Sequence, residues 1–314
     1  MNLSTLRATA QTVSLEGSVP SSSIFAKIAD YVQLTKPRIV LLFALTGLAA
    51  IVMEGSLRAE PLKLWAIVLG IVLTAGSANA LNQYIDRDID AVMERTRKKR
   101  PLPAGRLSPQ SALFFGLATG TIATALLYGF GNLLTAALGV GTILFYVGIY
   151  TLWLKRRTPY NIVIGGAAGA TAPLIGWAAA TGHLSVGALV MFLIVFVWTP
   201  PHFWALALCV KEEYAQVSVP MLPVVAGEEA TRRQILAYSV ALIPLTLVLG
   251  LTKDCGWVYI VSAALLGAGF LFKAWNVLKK KDTQSSWRLF GYSIVYLLAL
   301  YTVMIIDALV GLKP

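Results

Sequence analysis

The chain has 314 residues, 57% of them hydrophobic and 13% charged, whereas an ordinary soluble domain carries about a quarter charged residues. That balance excludes a water-soluble globular protein and leaves a membrane as the main solvent. The formal net charge of +11 raises nucleic acid as a partner, a question that the positions of the basic residues decide.

Residues 1–30 hold Ser, Thr and Ala with Arg7 and Glu16, and no apolar stretch of the length that a secretory signal requires. They predict a cytoplasmic tail ahead of a single membrane domain over 31–314. They also lack the Arg-rich, acid-poor character of a transit peptide, which points to a bacterial plasma membrane rather than an organelle. Nine apolar runs follow, near 37–55, 62–86, 110–129, 132–154, 160–181, 184–208, 234–252, 256–277 and 289–311. Each is long enough to cross a hydrocarbon core, so the chain is expected to be an all-α integral membrane protein of nine transmembrane helices.

With the amino terminus in the cytoplasm, all of the 26 lysines and arginines except Arg58, Lys63, Lys253 and Lys313 fall on the inner side. This positive-inside bias explains the basic charge without nucleic acid. Cys209 and Cys255 then lie on opposite faces and cannot pair, and no CxxC or Cys/His metal spacing is present.

The second run ends in Asn82-Gln83-Tyr84-Ile85-Asp86-Arg87-Asp88-Ile89-Asp90 and enters a basic loop that reaches about Pro109. On a helix Asn82, Asp86 and Asp90 lie within about 80° of one another and span roughly 12 Å, while Asp88 points elsewhere. Oxygen ligands on one face suit Mg²⁺, a hard cation that keeps waters and substrate phosphates in its shell. A solvated acidic helix end has the same composition, but ionisable groups at the edge of a membrane helix are costly enough to point to function. In Arg95-Thr96-Arg97-Lys98-Lys99-Arg100, Arg95 and Arg100 stand out as phosphate ligands, and the others read as anchors to anionic lipid. Lys36 and Arg38, flanking Pro37 at the start of the first run, admit the same two readings.

In the fifth run Gly165, Gly166 and Gly169 allow close helix packing or room for a large flat ligand. In the sixth, Pro200 and Pro201 remove backbone donors and predict a broken helix lining a cavity. Another polar loop follows, opening on Lys211-Glu212-Glu213-Tyr214. Polar cytoplasmic loops after helices 2 and 6 suggest two four-helix halves and a ninth helix, with the loops facing each other over one cavity. An ion-coupled transporter would also have intramembrane acids, although transporter sites usually lie near the midplane. Asp86 and Asp90 lie instead at the cytoplasmic end.

Asn82-xxx-Asp86-xxx-Asp90, followed by Arg95-Thr96 and Arg100-Pro101-Leu102, resembles the first aspartate-rich signature of the UbiA superfamily of intramembrane prenyltransferases. Four further stretches resemble the branch of that superfamily that farnesylates protohaem. They are Leu34-Thr35-Lys36-Pro37-Arg38, Asn161 to Gly169 with Gly176-Trp177, Trp198-Thr199-Pro200-Pro201-His202-Phe203-Trp204, and Pro220-Met221-Leu222-Pro223-Val224-Val225. The resemblance covers residues 34–227 and implies nine helices around a central cavity open to the cytoplasmic leaflet. It also implies transfer of farnesyl from farnesyl diphosphate to the vinyl group of protohaem IX (haem B) with addition of water, giving haem O, with Mg²⁺ as cofactor and haem A synthase downstream.

Carried onto these positions, it makes Asn82, Asp86, Asp90 and Glu213 the catalytic and metal-binding set. Lys36, Arg38, Arg95, Arg100, Lys211 and Tyr214 become the diphosphate ligands. One departure stands out: the family's second signature is Asp-rich with an Asp before the Tyr, where this chain has Glu213, so Glu213 ranks below Asp86 and Asp90. Another aromatic or tetrapyrrole acceptor is the alternative, against which the Thr199 to Trp204 stretch argues. His202 suits a haem contact, through iron or a propionate, or satisfies a carbonyl freed by the prolines. Tyr84, Tyr160 and Trp198 are candidates to stabilise an allylic cation, with packing and interfacial roles as the alternative.

Overall fold

The computed structural model describes residues 23–252 and 255–311, and among these every regular element is helical. Most of the expected amino-terminal tail, residues 1–22, lies outside the described residues. Helix α1 (Ile24–Leu34) starts on Ser23, whose side chain accepts from the Ala26 amide. Helices α2 (Pro37–Glu54) and α3 (Pro61–Ile85) each begin on a proline, where the missing N–H is one that no helix would use. Two short helices, α4 (Arg87–Val92) and α5 (Glu94–Arg97), occupy the first polar loop. Helix α6 (Pro109–Leu126) runs into a π turn, Leu127–Gly131, and α7 (Leu133–Leu144) into a longer π segment, Phe145–Leu154. The fifth apolar run is divided at Thr171 into α8 (Asn161–Ala170) and α9 (Ala172–Thr181). Helix α10 (Val186–Cys209) leads into the second polar loop, with α11 (Lys211–Gln216) and α12 (Leu222–Val225). Helices α13 (Gly227–Val248), α14 (Trp257–Lys280) and α15 (Thr283–Val310) close the chain.

Among the described residues, eight helical stretches are long and apolar enough to cross a membrane. The remaining expected span, 234–252, begins earlier than its apolar run, at Gly227, so its first turns carry Glu228, Glu229, Arg232 and Arg233. Those charges belong to the polar end of the molecule. Lipid-facing side chains such as Leu41, Phe114, Leu133 and Leu265 are exposed, as expected where the solvent is hydrocarbon rather than water.

The expected break at Pro200 and Pro201 does not occur: α10 is continuous and both prolines are buried inside it. Each proline removes one backbone bond, but the turns on either side persist. Thr199 meanwhile donates to the Val195 carbonyl at 2.8 Å, and the local loss does not end the helix. The glycines of α8 divide between the two readings. A Cβ on Gly165 would fall 2.2 Å from the Tyr150 ring and one on Gly166 would fall 2.9 Å from Thr199, while Gly169 faces open space. Close packing therefore explains the first two.

Cross-links sort the loops by end. Arg106 bonds Asp30 at 2.7 Å, the Arg95 amide bonds Glu213 at 3.3 Å, and Arg232 reaches the Lys281 carbonyl at 3.2 Å. Both polar loops and the α14–α15 turn thus share one end with α1. At the other end Arg58 donates to the Ala308 carbonyl at 3.1 Å, and Asp307 accepts from the Gly256 amide. Cys209, bonded to Thr283, and Cys255, next to Gly256, are therefore at opposite ends.

Candidate active site

The first acidic motif sits across a joint. Helix α3 ends at Ile85, and Asp86 takes φ −82 and ψ 7 before α4 resumes. The backbone bonds Asp86 N–H to Asn82 and Asp90 N–H to Asp86, both 2.9 Å, carry the helical register through the joint. Asn82, Asp86 and Asp90 consequently share one face, and all three are buried, with Asp86 fully so. Asp88 points outward, as the spacing predicts, and pairs with Arg156 at 2.8 and 2.9 Å. That guanidinium holds the Asp88 carboxyl below the usual carboxylate range.

Asn82 is the hub of the buried network. Its oxygen accepts from the Lys36 ammonium at 2.8 Å, and its NH₂ donates to Asp86 Oδ2 at 2.7 Å and to Thr151 Oγ1 at 3.2 Å. Lys155 donates to the same Asp86 oxygen, and Arg100 pairs with Asp90. Thr96 fixes the strand of chain between them by donating to the Asp90 carbonyl at 2.9 Å. Lys36 reaches the network from a left-handed backbone, φ 57, ahead of Pro37, a conformation that a lysine adopts only where its surroundings impose it. Burial, then repulsion from Arg100 and Lys155, holds its ammonium well below the ordinary lysine range, with Asp86 and Asp90 opposing.

The π segment aims Lys155. Thr151 donates its hydroxyl to the Tyr146 carbonyl at 2.7 Å and the Lys155 amide bonds the Tyr150 carbonyl at 2.9 Å. The second, backbone bond is the five-residue step of the π turn, which recurs at functional sites, and the hydroxyl bond follows the same spacing. Tyr146 and Tyr150 stack at 5.2 Å on the same segment.

Of the basic cluster, Arg95 and Arg100 turn inward while Arg97, Lys98 and Lys99 stay exposed. The Arg95 Nε is buried without a hydrogen-bond partner. Glu213 is brought to this loop through the Arg95 amide, and Tyr214 packs beside Ile89 and Met93. Two expected diphosphate ligands stand apart. Arg38 is exposed on the first turn of α2, and Lys211 pairs with Glu228 at 3.3 Å, at the start of α13. Tyr160 is exposed and Tyr84 lies under the Arg87 guanidinium at 4.7 Å, so neither faces the network. Trp198 stacks on His202 at 4.4 Å, and His202 is sandwiched on its other side by Phe290 at 4.7 Å, with Nδ1 2.6 Å from Ser293 Oγ. That bond goes to a hydroxyl rather than to a carbonyl freed by the prolines.

Lys155, Thr151 and the two stacked tyrosines escape a reading of the sequence. Lys155 looks there like one more inside anchor beside Arg156 and Arg157, and Thr151 sits unmarked in an apolar run. Four residues separate Thr151 from Lys155, the same spacing as Asn82 to Asp86, which is the one signal that was available.

Mg²⁺ is chemically compatible with the first motif. Asp86 Oδ1 is buried with no hydrogen-bond partner in the protein, and Asp90 and Asn82 add oxygens on the same face. Among the described residues no group of three or more His, Cys, Asp and Glu side chains converges on one point, so Glu213 does not join the two aspartates here. One or two carboxylates with substrate phosphates and waters is nevertheless the usual Mg²⁺ shell.

Comparison with known proteins agrees with this geometry. The UbiA prenyltransferase family profile matches residues 40–301. A protoheme IX farnesyltransferase of Gloeobacter violaceus is 52% identical over 94% of this chain and 96% of its own length. Another, of Symbiobacterium thermophilum, is 51% identical over 89% and 94%. Among solved structures, digeranylgeranylglyceryl phosphate synthase superposes with a TM-score of 0.74 at 18% identity, covering 90% of this chain and 98% of that one. A UbiA homologue from Archaeoglobus fulgidus bound to DMAPP and Mg²⁺ gives 0.66 at 17%, covering 87% and 99%. The structures establish the fold, and the profile together with the near-full-length relatives establishes that the chain belongs to the UbiA prenyltransferase family.

Proposed function

We propose that this chain transfers the farnesyl group of farnesyl diphosphate to the vinyl group of protohaem IX with addition of water, giving haem O and diphosphate. The observation that carries the reading is the 52% identity, along 94% of the chain, to a protoheme IX farnesyltransferase. A second support is the buried network of Lys36, Asn82, Asp86, Lys155, Asp90 and Arg100, which joins carboxylates for a divalent cation to cations for a diphosphate.

In this reading Asp86 and Asp90, with Asn82, hold Mg²⁺, which would supply charge neutralisation to the departing diphosphate. Lys36, Lys155, Arg95 and Arg100 bind the diphosphate oxygens and take up the negative charge that grows as the allylic C–O bond breaks. Burial strengthens each of these interactions, because little water competes for them. The haem vinyl carbon bonds to the farnesyl carbon that has lost diphosphate. Water then adds to the resulting cation beside the porphyrin and releases a proton, leaving a hydroxyethylfarnesyl side chain. No covalent enzyme nucleophile is needed. Tyr146 and Tyr150, stacked next to Thr151, replace Tyr84 and Tyr160 as the aromatic faces suited to the allylic cation. Glu213 reaches the metal only if the second loop shifts toward the first, and His202 is the haem contact, held by Ser293 and two rings.

The protein spans a bacterial plasma membrane nine times, α13 joining the eight long apolar stretches as the seventh span in chain order, with the site and the amino terminus on the cytoplasmic side. Haem O then passes to haem A synthase. Incubation of purified protein with haem B, farnesyl diphosphate and Mg²⁺ is expected to give haem O by mass, and to give none when Mg²⁺ is chelated. Farnesylation of a quinone precursor, with haem B untouched, would overturn the acceptor.

A further inference from the structure

Outside the site, the polar end carries a second concentration of positive charge, on α14 and α15. Lys273, Asn276 and Lys280 recur at i, i+3 and i+7, so they lie along one face of α14. Ser285 and Arg288 face them from the first turns of α15, and together with Phe272 these side chains line a cavity of about 130 Å³. That is about four times the volume share of a liquid water, ample for a phosphate group.

The charge there is not neutralised within the protein. Lys273, Lys280 and Arg288 take part in none of the ion pairs among the described residues, and Lys273 rests over the Tyr292 ring at 5.1 Å. The carboxylates at this corner offset the charge only in part, Asp282 acting on Lys280 and Arg288 without pairing with either. Asp282 caps α15 by accepting from the Ser285 amide at 2.5 Å, and Glu229 pairs with Lys281 and Arg233. One capping carboxylate beside three cations leaves a clear positive excess.

Below the cavity the same two helices present bare hydrocarbon. Leu265 on α14, in line with Asn276, is 70% exposed, and Val295 on α15, in line with Arg288, is 55% exposed. Trp275 and Trp287, on the same two helices, are half exposed, and indoles favour the membrane interface. A polar basic notch opening onto an apolar furrow at a membrane boundary matches an amphiphile with a phosphate head and acyl tails.

We propose that the α14–α15 cavity is a binding site for an anionic phospholipid of the cytoplasmic leaflet, with the phosphate held by Lys273, Lys280 and Arg288. Asn276 and Ser285 supply neutral hydrogen bonds, and the acyl chains lie along α14 and α15. The shared chemistry with free phosphate is the anionic oxygen cluster; the apolar furrow is what selects the lipid.

The test is native mass spectrometry of the purified full chain after delipidation, titrated with phosphatidylglycerol, phosphatidylcholine or inorganic phosphate. Phosphatidylglycerol is expected to bind as a discrete adduct and phosphatidylcholine weakly. Each of Lys273→Gln, Lys280→Gln and Arg288→Gln should weaken the adduct roughly fivefold, and the triple variant on the order of a hundredfold. Lys279→Gln, off the shared face, should leave it unchanged. If the triple variant fails to fold, the three single variants decide. Equal binding of both lipids, equal loss in Lys279→Gln, or displacement by millimolar inorganic phosphate would each overturn the proposal.

Discussion

Two carboxylates are buried at opposite ends of this molecule, and they are buried on different terms. Asp307 accepts from the Gly256 amide at 2.5 Å through one oxygen and from the Tyr259 amide at 3.1 Å through the other. It caps the start of α14, satisfying donors that no helix satisfies for itself. Asp86 has one oxygen shared by Asn82 and Lys155, while the other is buried with no partner. A buried oxygen left without a bond is destabilising, and the proposed Mg²⁺ would satisfy Asp86 Oδ1. Saturation separates Asp307, with both oxygens bonded, from Asp86, the proposed metal ligand, although both are buried aspartates in an apolar surround.

Substitutions at five positions test that contrast. The largest effect is expected from Asp86→Asn and Asp90→Asn, which remove ligand charge and should cut haem O formation by about 10²–10³-fold while the protein still inserts. A melting curve like the wild type's, alongside lost turnover, is the signature to seek. Asp307→Asn should show the converse: about 1–3 kcal/mol less stability, because an N–H at the start of α14 loses its acceptor, with turnover unchanged below the melting transition. Loss of activity in a folded Asp307→Asn protein would erase the distinction.

Glu213 falls between the two. Glu213→Gln should lower turnover about tenfold, as expected for a group at the edge of a metal shell, and Glu213→Asp should retain more. Full activity in Glu213→Gln would leave the second loop as a lid bonded to Arg95. The smallest effect belongs to Asp88→Asn. Its ion pair with Arg156 is exposed, so loss should cost within about 0.5 kcal/mol and change turnover less than twofold. Because Arg156 lowers the Asp88 pKa, that small contribution is present above the ordinary carboxylate range and fades as pH falls through it. If Asp88→Asn proved as damaging as Asp86→Asn, the shared face of Asn82, Asp86 and Asp90 would not be what matters.

Much of this was legible in the chain because membrane constraints are local. A span must be about 20 apolar residues long and must bond its own backbone, so six runs reappear as helices with ends moved by only a few residues, and the last reappears with its start six residues earlier, at Thr283. The fifth differs only in its division at Thr171. The α13 start was missed because hydropathy sees Glu228, Glu229, Arg232 and Arg233 as loop, although those side chains bond to one another and to the turns beside them. Pro200 and Pro201 misled for the opposite reason: a local rule predicts a break, and neighbouring helices overrode it.

The sequence by itself determined the all-helical, membrane-spanning character and the face shared by Asn82, Asp86 and Asp90, because helical period and hydropathy act within a few residues. Only the tertiary structure decided which cations serve those acids. Lys36 and Lys155 were drawn in and Arg38 and Lys211 left out, Arg95 and Arg100 were turned inward from a run of like charges, and His202 was set between two rings. Those choices depend on packing α2, the π segment before Lys155 and the polar loops against α3. A pairing between residues 46 or 69 positions apart has no signature in either chain segment alone.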